Sequence, residues 1–245
     1  MATMYETGHA KNAANFEDLI SFCIGYDAIY NPSKKSIQIA ELNILYSNTK
    51  TTLANVIITK TAFSNATNTR QTAFKQLKKL CTRIINALDA TDASDKLIKD
   101  AKTINNKIQG KRSNQKNKSL TTSEKSETES KTISVSQQSY DNLIENFAKL
   151  IEIINSESTY TPNESDLKIT TLINVLTTLK NTNTTVINAY TNYSNAIIKR
   201  NHILYESQNG LINTAISVKK YIKSVFGTTS PQFKQISGLT FKKLI

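Results

Sequence analysis

Glycine and proline are scarce in this sequence, with 6 and 3 residues among 245. Sandwiches and barrels of β-strands need a turn-forming residue every ten or so positions, so this scarcity argues against them. Helices need no such residues in their interior and are weakened by them. We therefore predict an all-α protein.

Long hydrophobic runs are also missing, since no stretch of about 18 apolar residues is present that could span a bilayer. The first residues, MATMYETGHAKNAANFED, lack the basic-then-apolar order of a secretory signal. We expect a cytoplasmic protein without a membrane span.

Residues suited to catalysis are few and scattered. His9 and His202 are the only histidines, and neither has a carboxylate at the spacing of a metal site. A glycine-rich phosphate loop and a Gly-x-Ser-x-Gly sequence are both missing. We expect no catalytic, cofactor-binding or metal-binding residues and no small-molecule substrate, and we predict that the protein is not an enzyme.

The two cysteines, Cys23 and Cys81, each lie in an apolar stripe of helical period without another cysteine or a histidine close in sequence. Free cysteine behaves as a small buried hydrophobic residue. Both are predicted to be buried free thiols.

An internal repeat is the most informative pattern in the chain. When the sequence is shifted by 130 positions, Tyr30-Asn31-Pro32-Ser33 falls on Tyr160-Thr161-Pro162-Asn163, and further identities follow in one register. They include Leu42 with Leu172, Val56-Ile57 with Val186-Ile187, Ser64-Asn65-Ala66 with Ser194-Asn195-Ala196, and Arg70 with Arg200. So many agreements in one order predict a duplication.

The segment between the two related halves is almost free of apolar side chains. It is dense in Ser, Thr, Lys and Glu and cannot bury enough surface to offset the entropy of ordering it. We predict a first helical repeat at 1–109, a flexible polar linker at 110–138 and a second helical repeat at 139–245. The linker is either simply solvated or an arm that binds polyanions through Lys107, Lys111, Arg112, Lys116 and Lys118.

Apolar residues recur within each half at a helical period. First helices are predicted around Phe16–Ile24 and Tyr140–Ile154. Long second helices at 34–72 and 164–205 are expected to open directly after the Pro32 and Pro162 turns, because proline is tolerated in a first helical turn. Further helices are predicted at 74–89, 94–108 and 211–226, with a short piece near 231–244.

The two long helices share a heptad-like seam of apolar and small residues, and we expect them to pack side by side. The seam positions are 42, 45, 49, 52, 56, 59, 63, 66 and 70, and the same positions shifted by 130. The fold class predicted is a duplicated antiparallel helical bundle, in which one long helix of each half is packed by about three shorter ones.

Arg70 and Arg200 occupy the same position of the repeat, at the end of the seam. Three roles remain open for them: extending to solvent, pairing with a carboxylate across the bundle, or binding an anion.

Positive charge exceeds negative charge by 12, and it is spread along the chain. Such charge favours polyanions such as nucleic acid. Two groups of basic residues, one on each of two related helices, are the candidate polyanion-binding residues. They are Lys75, Lys78, Lys79 and Arg83, and Lys219, Lys220 and Lys223.

Several segments outside the linker are similar in sequence to a family of proteins. They include GHAKNAANFEDLISF, YNPSKKS, FKQLKKLCTRIINALDATDASD, DAKTINNKIQGKR and VKKYIKSVFGTTSPQFKQISGL. The chain resembles a family of uncharacterised basic helical proteins found in Bacteroidota. The resemblance implies no activity and no site residue.

Two functions of different classes follow from these observations. The first is a structural or interaction protein that binds a protein partner or forms a homo-oligomer through its helix faces. The second is a sequence-nonspecific binder of nucleic acid.

Overall fold

The computed structural model describes residues 8–111, 138–206 and 208–244. Within these ranges all regular structure is helical, which confirms the all-α prediction. The α-helices are α1 (His9–Gly25), α2 (Ile39–Phe74), α3 (Leu77–Asp89), α4 (Asp95–Gln109), α5 (Tyr140–Asn155), α6 (Ile169–Tyr205), α7 (Leu211–Phe226) and α8 (Pro231–Ser237). Short 3-10 helices lie at Asp27–Ile29 and Lys35–Ile37.

The two long helices, α2 and α6, have 36 and 37 residues and contain neither proline nor glycine. At 1.5 Å per residue each is about 54 Å long. Every predicted seam position on both helices is buried or half-buried, from Leu42 and Leu172 at the first to Arg70 and Arg200 at the last. The burial of these positions was therefore predicted correctly, while the side-by-side packing of the two helices stays a prediction.

The starts predicted for these helices were wrong. They begin at Ile39 and Ile169, about seven residues after the proline turns rather than directly after them. The Tyr30 hydroxyl donates to the Ile37 carbonyl at 2.6 Å, and the Tyr160 hydroxyl donates to the Leu167 carbonyl at 3.2 Å. These buried bonds hold the intervening residues in turns, so the helices start only beyond them.

The last predicted helical piece, near 231–244, is also shorter than expected, because α8 ends at Ser237. The chain beyond α8 is bonded to buried asparagines of α1. Asn15 donates to the Thr240 carbonyl at 2.6 Å, while Asn12 donates to the Lys242 carbonyl and accepts from the Lys242 amide at 2.7 and 3.0 Å. Backbone groups bonded in this way are not free to continue a helix.

Two compact units make up the chain. Unit 1 combines residues 1–64 with 188–245, and unit 2 is the continuous range 65–187. These boundaries differ from those of the predicted repeats, because each unit contains helices from both related halves. The predicted linker falls largely on residues 112–137, which lie outside the described residues.

The core of unit 1 combines α1 and the start of α2 with the end of α6, α7 and α8. Its fully buried side chains include Phe16, Leu19, Leu42, Leu204 and Val218. Cys23, at 1% exposure, belongs to the same core and is a free thiol, as predicted.

The core of unit 2 combines α3 and α4 with α5 and residues from α2 and α6. It buries Ile84, Leu88, Ile108, Phe147 and Leu150 completely. Cys81 lies in this core as a free thiol, which confirms the second cysteine prediction.

Gly110 ends α4 in the left-handed conformation, with φ at 75°. Its amide and that of Lys111 bond back to the carbonyls of Lys107 and Asn106. The Gln138 side chain donates to the Lys107 carbonyl at 2.9 Å, so a residue two positions before α5 caps the end of α4. A side chain at position 110 would strain the backbone and meet Gln138 at 2.9 Å.

Candidate interaction surfaces

The basic residues predicted on α3 are partly committed to contacts within unit 2. The Lys78 ammonium donates to the Gln138 side chain at 2.7 Å and lies 3.4 Å from the Gln109 carbonyl. In this position Lys78 bonds a terminal carbonyl of α4 and the side chain that caps that helix. This is the favoured place for a cation near a helix C-terminus.

Arg83 forms an ion pair with Asp166, in which the two terminal guanidinium nitrogens, Nη1 and Nη2, each donate to one carboxylate oxygen. The pair lies on the surface, since each side chain is 51% exposed. The carboxylate holds the pKa of Arg83 above its usual value, and the guanidinium lowers the pKa of Asp166. Arg83 could reach a phosphate only by giving up this partner or sharing it.

Lys75 and Lys79 remain exposed. Lys75 lies in the two-residue turn between α2 and α3, rather than inside the helix predicted at 74–89, because α3 begins at Leu77. Neither side-chain ammonium has a hydrogen bond or ion pair with the described part of the chain. They are the two cations of this group left for an external anion.

The second basic group lies in unit 1, on α7. The Lys219 ammonium donates to the carbonyls of Ser237 and Leu239, each at 3.0 Å. Partial burial lowers the pKa of Lys219. Lys223 lies 6.0 Å from the centroid of the Phe233 ring, and Lys220 is exposed.

Lys219 thus binds the end of α8 in the way that Lys78 binds the end of α4. Each lysine satisfies carbonyls that a helix terminus leaves without an intrahelical partner. The charge pattern of a helical stripe could not distinguish these lysines from solvent-facing ones, because their acceptors lie on other segments of the chain.

Arg70 and Arg200 have different surroundings despite their shared repeat position. In unit 2, the Arg70 guanidinium lies over the Tyr140 ring and donates to Asn183 at 2.9 Å. Its Nε is buried without a hydrogen-bond partner in the described residues. In unit 1, Arg200 bonds the side chain of its neighbour Asn201 at 2.8 and 3.1 Å.

An apolar stripe on the outer face of α2 was missed at the sequence level. Ala54, Ile57, Ile58 and Ala62 are all exposed, and Ile57 and Ile58 are exposed to 68% and 65%. Spacings of three and four residues place them on one face of the helix. We call these four residues the α2 stripe. The signal was available in the sequence as two adjacent isoleucines that both lie outside the seam, between its positions 56 and 59.

Charged residues are sparse around the α2 stripe. Lys60 is the single charged residue between positions 51 and 69 of α2. Depletion of charge is typical of the centre of a protein interface.

The histidines have separate surroundings. His9 is the first residue of α1, and its Nδ1 lies 2.5 Å from the Tyr205 hydroxyl. His202 lies 3.5 Å from Glu206 on the surface of α6. The described ranges contain no cluster of three histidine, cysteine, aspartate or glutamate side chains that could hold a metal ion. In these ranges no helix is long and apolar enough to cross a membrane.

Comparison with models of known families, with curated proteins and with solved structures gives no match for this chain. The resemblance to basic helical proteins of Bacteroidota therefore stays a prediction.

Proposed function

We propose that the chain is a non-enzymatic interaction protein that self-associates through the α2 stripe. The observation that carries this proposal is the pair Ile57 and Ile58, which are exposed side by side in the middle of a long helix. Single exposed hydrophobic residues are common on proteins, whereas a continuous apolar stripe is typical of a contact surface.

Electrostatics favours this stripe as the place where two copies meet. Each copy has a net charge of +12, so contact between most surfaces would bring like charges together. The segment around the stripe has only Lys60, which makes it one of the few regions where two copies can approach at little electrostatic cost.

The fold does not require an apolar stripe at these positions. The residues 130 positions further on are Thr184, Ile187, Asn188 and Asn192, so α6 forms the same kind of long helix with a more polar face. Because the equivalent residue of α6 is Asn188, folding does not require an apolar residue at position 58, and a contact between molecules is the better reason for Ile58.

Sedimentation velocity of the wild type and of Ile57→Asn/Ile58→Asn tests the proposal. Because both side chains are exposed, we expect the variant to fold normally. The wild type should sediment as a dimer at about 100 μM, and the variant should dissociate at least tenfold more readily, since about 1.4 kcal/mol corresponds to tenfold. Ile198→Asn is the control, because Ile198 is exposed to 63% and lies outside the stripe.

Salt provides a second readout. Screening of the repulsion between two positively charged copies should strengthen self-association as salt rises. A wild type with the mass of one chain at every concentration and salt level would contradict self-association. A dimer unaffected by the double substitution would place the contact elsewhere.

The alternative function, sequence-nonspecific binding of nucleic acid, rests on the exposed cations Lys75, Lys79 and Lys220 together with the net charge. Binding to duplex DNA should then weaken with a slope near 0.9 per phosphate neutralised in log salt. Lys75→Gln/Lys79→Gln should reduce that slope by up to about two. Unchanged affinity and slope would leave these lysines as solvated surface residues.

The proposal for the fold is a duplicated antiparallel bundle. The matching bonds from Tyr30 to Ile37 and from Tyr160 to Leu167 support the duplication. Within unit 1, Leu42 and Leu204 belong to one core while the Phe63 ring contacts Tyr190, and this supports antiparallel long helices, because the α6 number falls as the α2 number rises.

A further inference from the structure

Helices α3 and α7 share a common register of buried residues. Adding 134 to the numbers of four buried α3 residues gives four buried residues of α7. The pairs are Leu77 with Leu211, Cys81 with Ala215, Ile84 with Val218, and Leu88 with Ile222. In this register the half-buried Ala87 of α3 corresponds to the half-buried Tyr221 of α7.

In unit 1, Tyr221 packs against the turn that precedes α2. Its ring lies edge-on to the Tyr30 ring with 5.3 Å between centroids. Its hydroxyl accepts from the backbone amide of Asn31 at 3.2 Å. The Tyr221 ring therefore fills the space between α7 and this turn, and its hydroxyl makes one hydrogen bond there.

In unit 2, the equivalent turn lies beside Ala87 instead of a tyrosine. Tyr160 and Thr161 stand where unit 1 has Tyr30 and Asn31, and together with Ala87 and Ala90 they line an open groove of about 610 Å³. The Thr161 amide bonds the Thr159 carbonyl at 3.0 Å, as the Asn31 amide bonds that of Ile29 at 3.1 Å. The described residues place no hydroxyl at Thr161 that would correspond to the one Tyr221 supplies to Asn31.

We propose that this groove binds a tyrosine side chain of a partner polypeptide. The ring would lie edge-on to Tyr160, and its hydroxyl would accept from the Thr161 amide, which repeats the contacts that Tyr221 makes in unit 1. Aromatic pairs favour this edge-to-face arrangement, and a phenol ring combines an apolar body with a polar tip.

A polypeptide suits the groove better than a free phenol. The groove exceeds the volume of a single aromatic side chain, and its rim carries Asn86 and Asn163. Their amide groups can both donate to and accept from the backbone of a bound peptide. This inference uses a different surface from the α2 stripe and does not depend on self-association.

Titration with the peptide acetyl-Gly-Tyr-Gly-amide, followed by the amide NMR signals of the full chain, tests the inference. We expect saturable binding at one site, with the Thr161 amide signal among those that shift most. The phenylalanine peptide should bind about fivefold more weakly, because it lacks the hydroxyl that accepts one hydrogen bond. If p-cresol binds at Thr161 and the peptide does not, the polypeptide partner is wrong.

Two substitutions in α3 should close the groove. Ala87→Tyr places a tyrosine ring of the chain itself in the groove, as Tyr221 does in unit 1. Ala87→Leu fills the same space with a side chain that has no hydroxyl. Both should abolish the shift at Thr161, and circular dichroism should confirm that each variant folds. If either folded variant binds the peptide like the wild type, the groove is not the site.

The converse substitution, Tyr221→Ala, should open the corresponding groove in unit 1. We then expect two peptides to bind instead of one, with a new shift at the Asn31 amide. A folded Tyr221→Ala chain that gains no second site would overturn the assignment of the ring as the occupant.

Discussion

Arg70 stacks over Tyr140, with the guanidinium carbon 4.0 Å from the ring centroid. The same guanidinium donates to Asn183, whose amide in turn donates to Asp141 at 2.8 Å. Residues from the end of α2, the start of α5 and the middle of α6 are thereby joined inside unit 2. Arg200, at the same repeat position, has only its neighbour Asn201 as a hydrogen-bond acceptor among the residues that the structure describes.

Arg70→Met should therefore destabilise the protein more than Arg200→Met does. Loss of the stacking and of a hydrogen bond from a charged donor should lower the free energy of unfolding by about 2 kcal/mol. Arg200→Met should cost less than about 1 kcal/mol, because it removes only a half-buried bond to the neighbouring residue and no ring contact. Urea denaturation of both variants measures the difference, and equal losses would contradict the role assigned to the Tyr140 contact.

The buried tyrosine hydroxyls provide a second comparison. Tyr30→Phe and Tyr160→Phe should each lower the free energy of unfolding by about 1 kcal/mol, because each leaves a buried carbonyl without its donor. The bond of Tyr30 is shorter, at 2.6 Å against 3.2 Å, so its loss should cost more. Thermal unfolding of the two variants tests this order.

Alkaline pH should destabilise unit 2 through Tyr160. Burial raises the pKa of Tyr160 from 10.0 to about 12. Between these values the unfolded chain has lost a proton that the folded chain retains, so stability falls as pH rises from about 10 to about 12. Tyr160→Phe should remove part of this fall, and an identical pH profile in the variant would contradict the assignment.

Mild acid should act on unit 1 through His9. Burial, and then the positive charge of Arg200, lower the pKa of His9. The unfolded histidine takes up a proton near pH 6.5 while the folded one resists it, so stability falls as pH drops below about 6.5. His9→Gln should flatten this dependence, whereas His202→Gln, a change at a surface histidine, should leave it in place.

Both cysteines should resist thiol reagents in the native state. Burial raises the pKa of Cys23 and of Cys81 to about 12, and the thiolate is the reactive form. A disulfide reagent such as DTNB should react slowly with the native protein and titrate two thiols quickly in urea. Rapid native labelling of either cysteine would show that its core opens readily.

The helical stripes were predictable because a buried face repeats at the helical period whatever covers it. The stripe with Phe16, Leu19 and Cys23 was predicted as a buried face, and it is one. The residues that cover it, such as Val218 of α7, were not predictable, because periodicity gives the direction of a side chain but not its partner. The compact units therefore differ from the repeats that the sequence suggested.

In the candidate site, too, local spacing predicted which residues share a helix face but not which residues they contact. The basic face of α3 could be predicted from the spacing of Lys79 and Arg83, since polar residues alternate with the buried stripe. The ion pair of Arg83 with Asp166 joins residues 83 positions apart, which no local pattern indicates. The groove beside Ala87 was hidden for a different reason, because it becomes visible only when Tyr221 is seen to fill the equivalent space.

The way the units divide the chain also sets an order of events during synthesis. All of unit 2 lies between residues 65 and 187, whereas the core of unit 1 joins α1 to α7 and α8. About 200 residues separate Leu19 from Val218, which at 5–20 residues per second is roughly 10 to 40 s of translation. During that time the core of unit 2 can form while the chain is still on the ribosome. The apolar face of α1 stays exposed until α7 and α8 are synthesised, and chaperones can bind it in that interval.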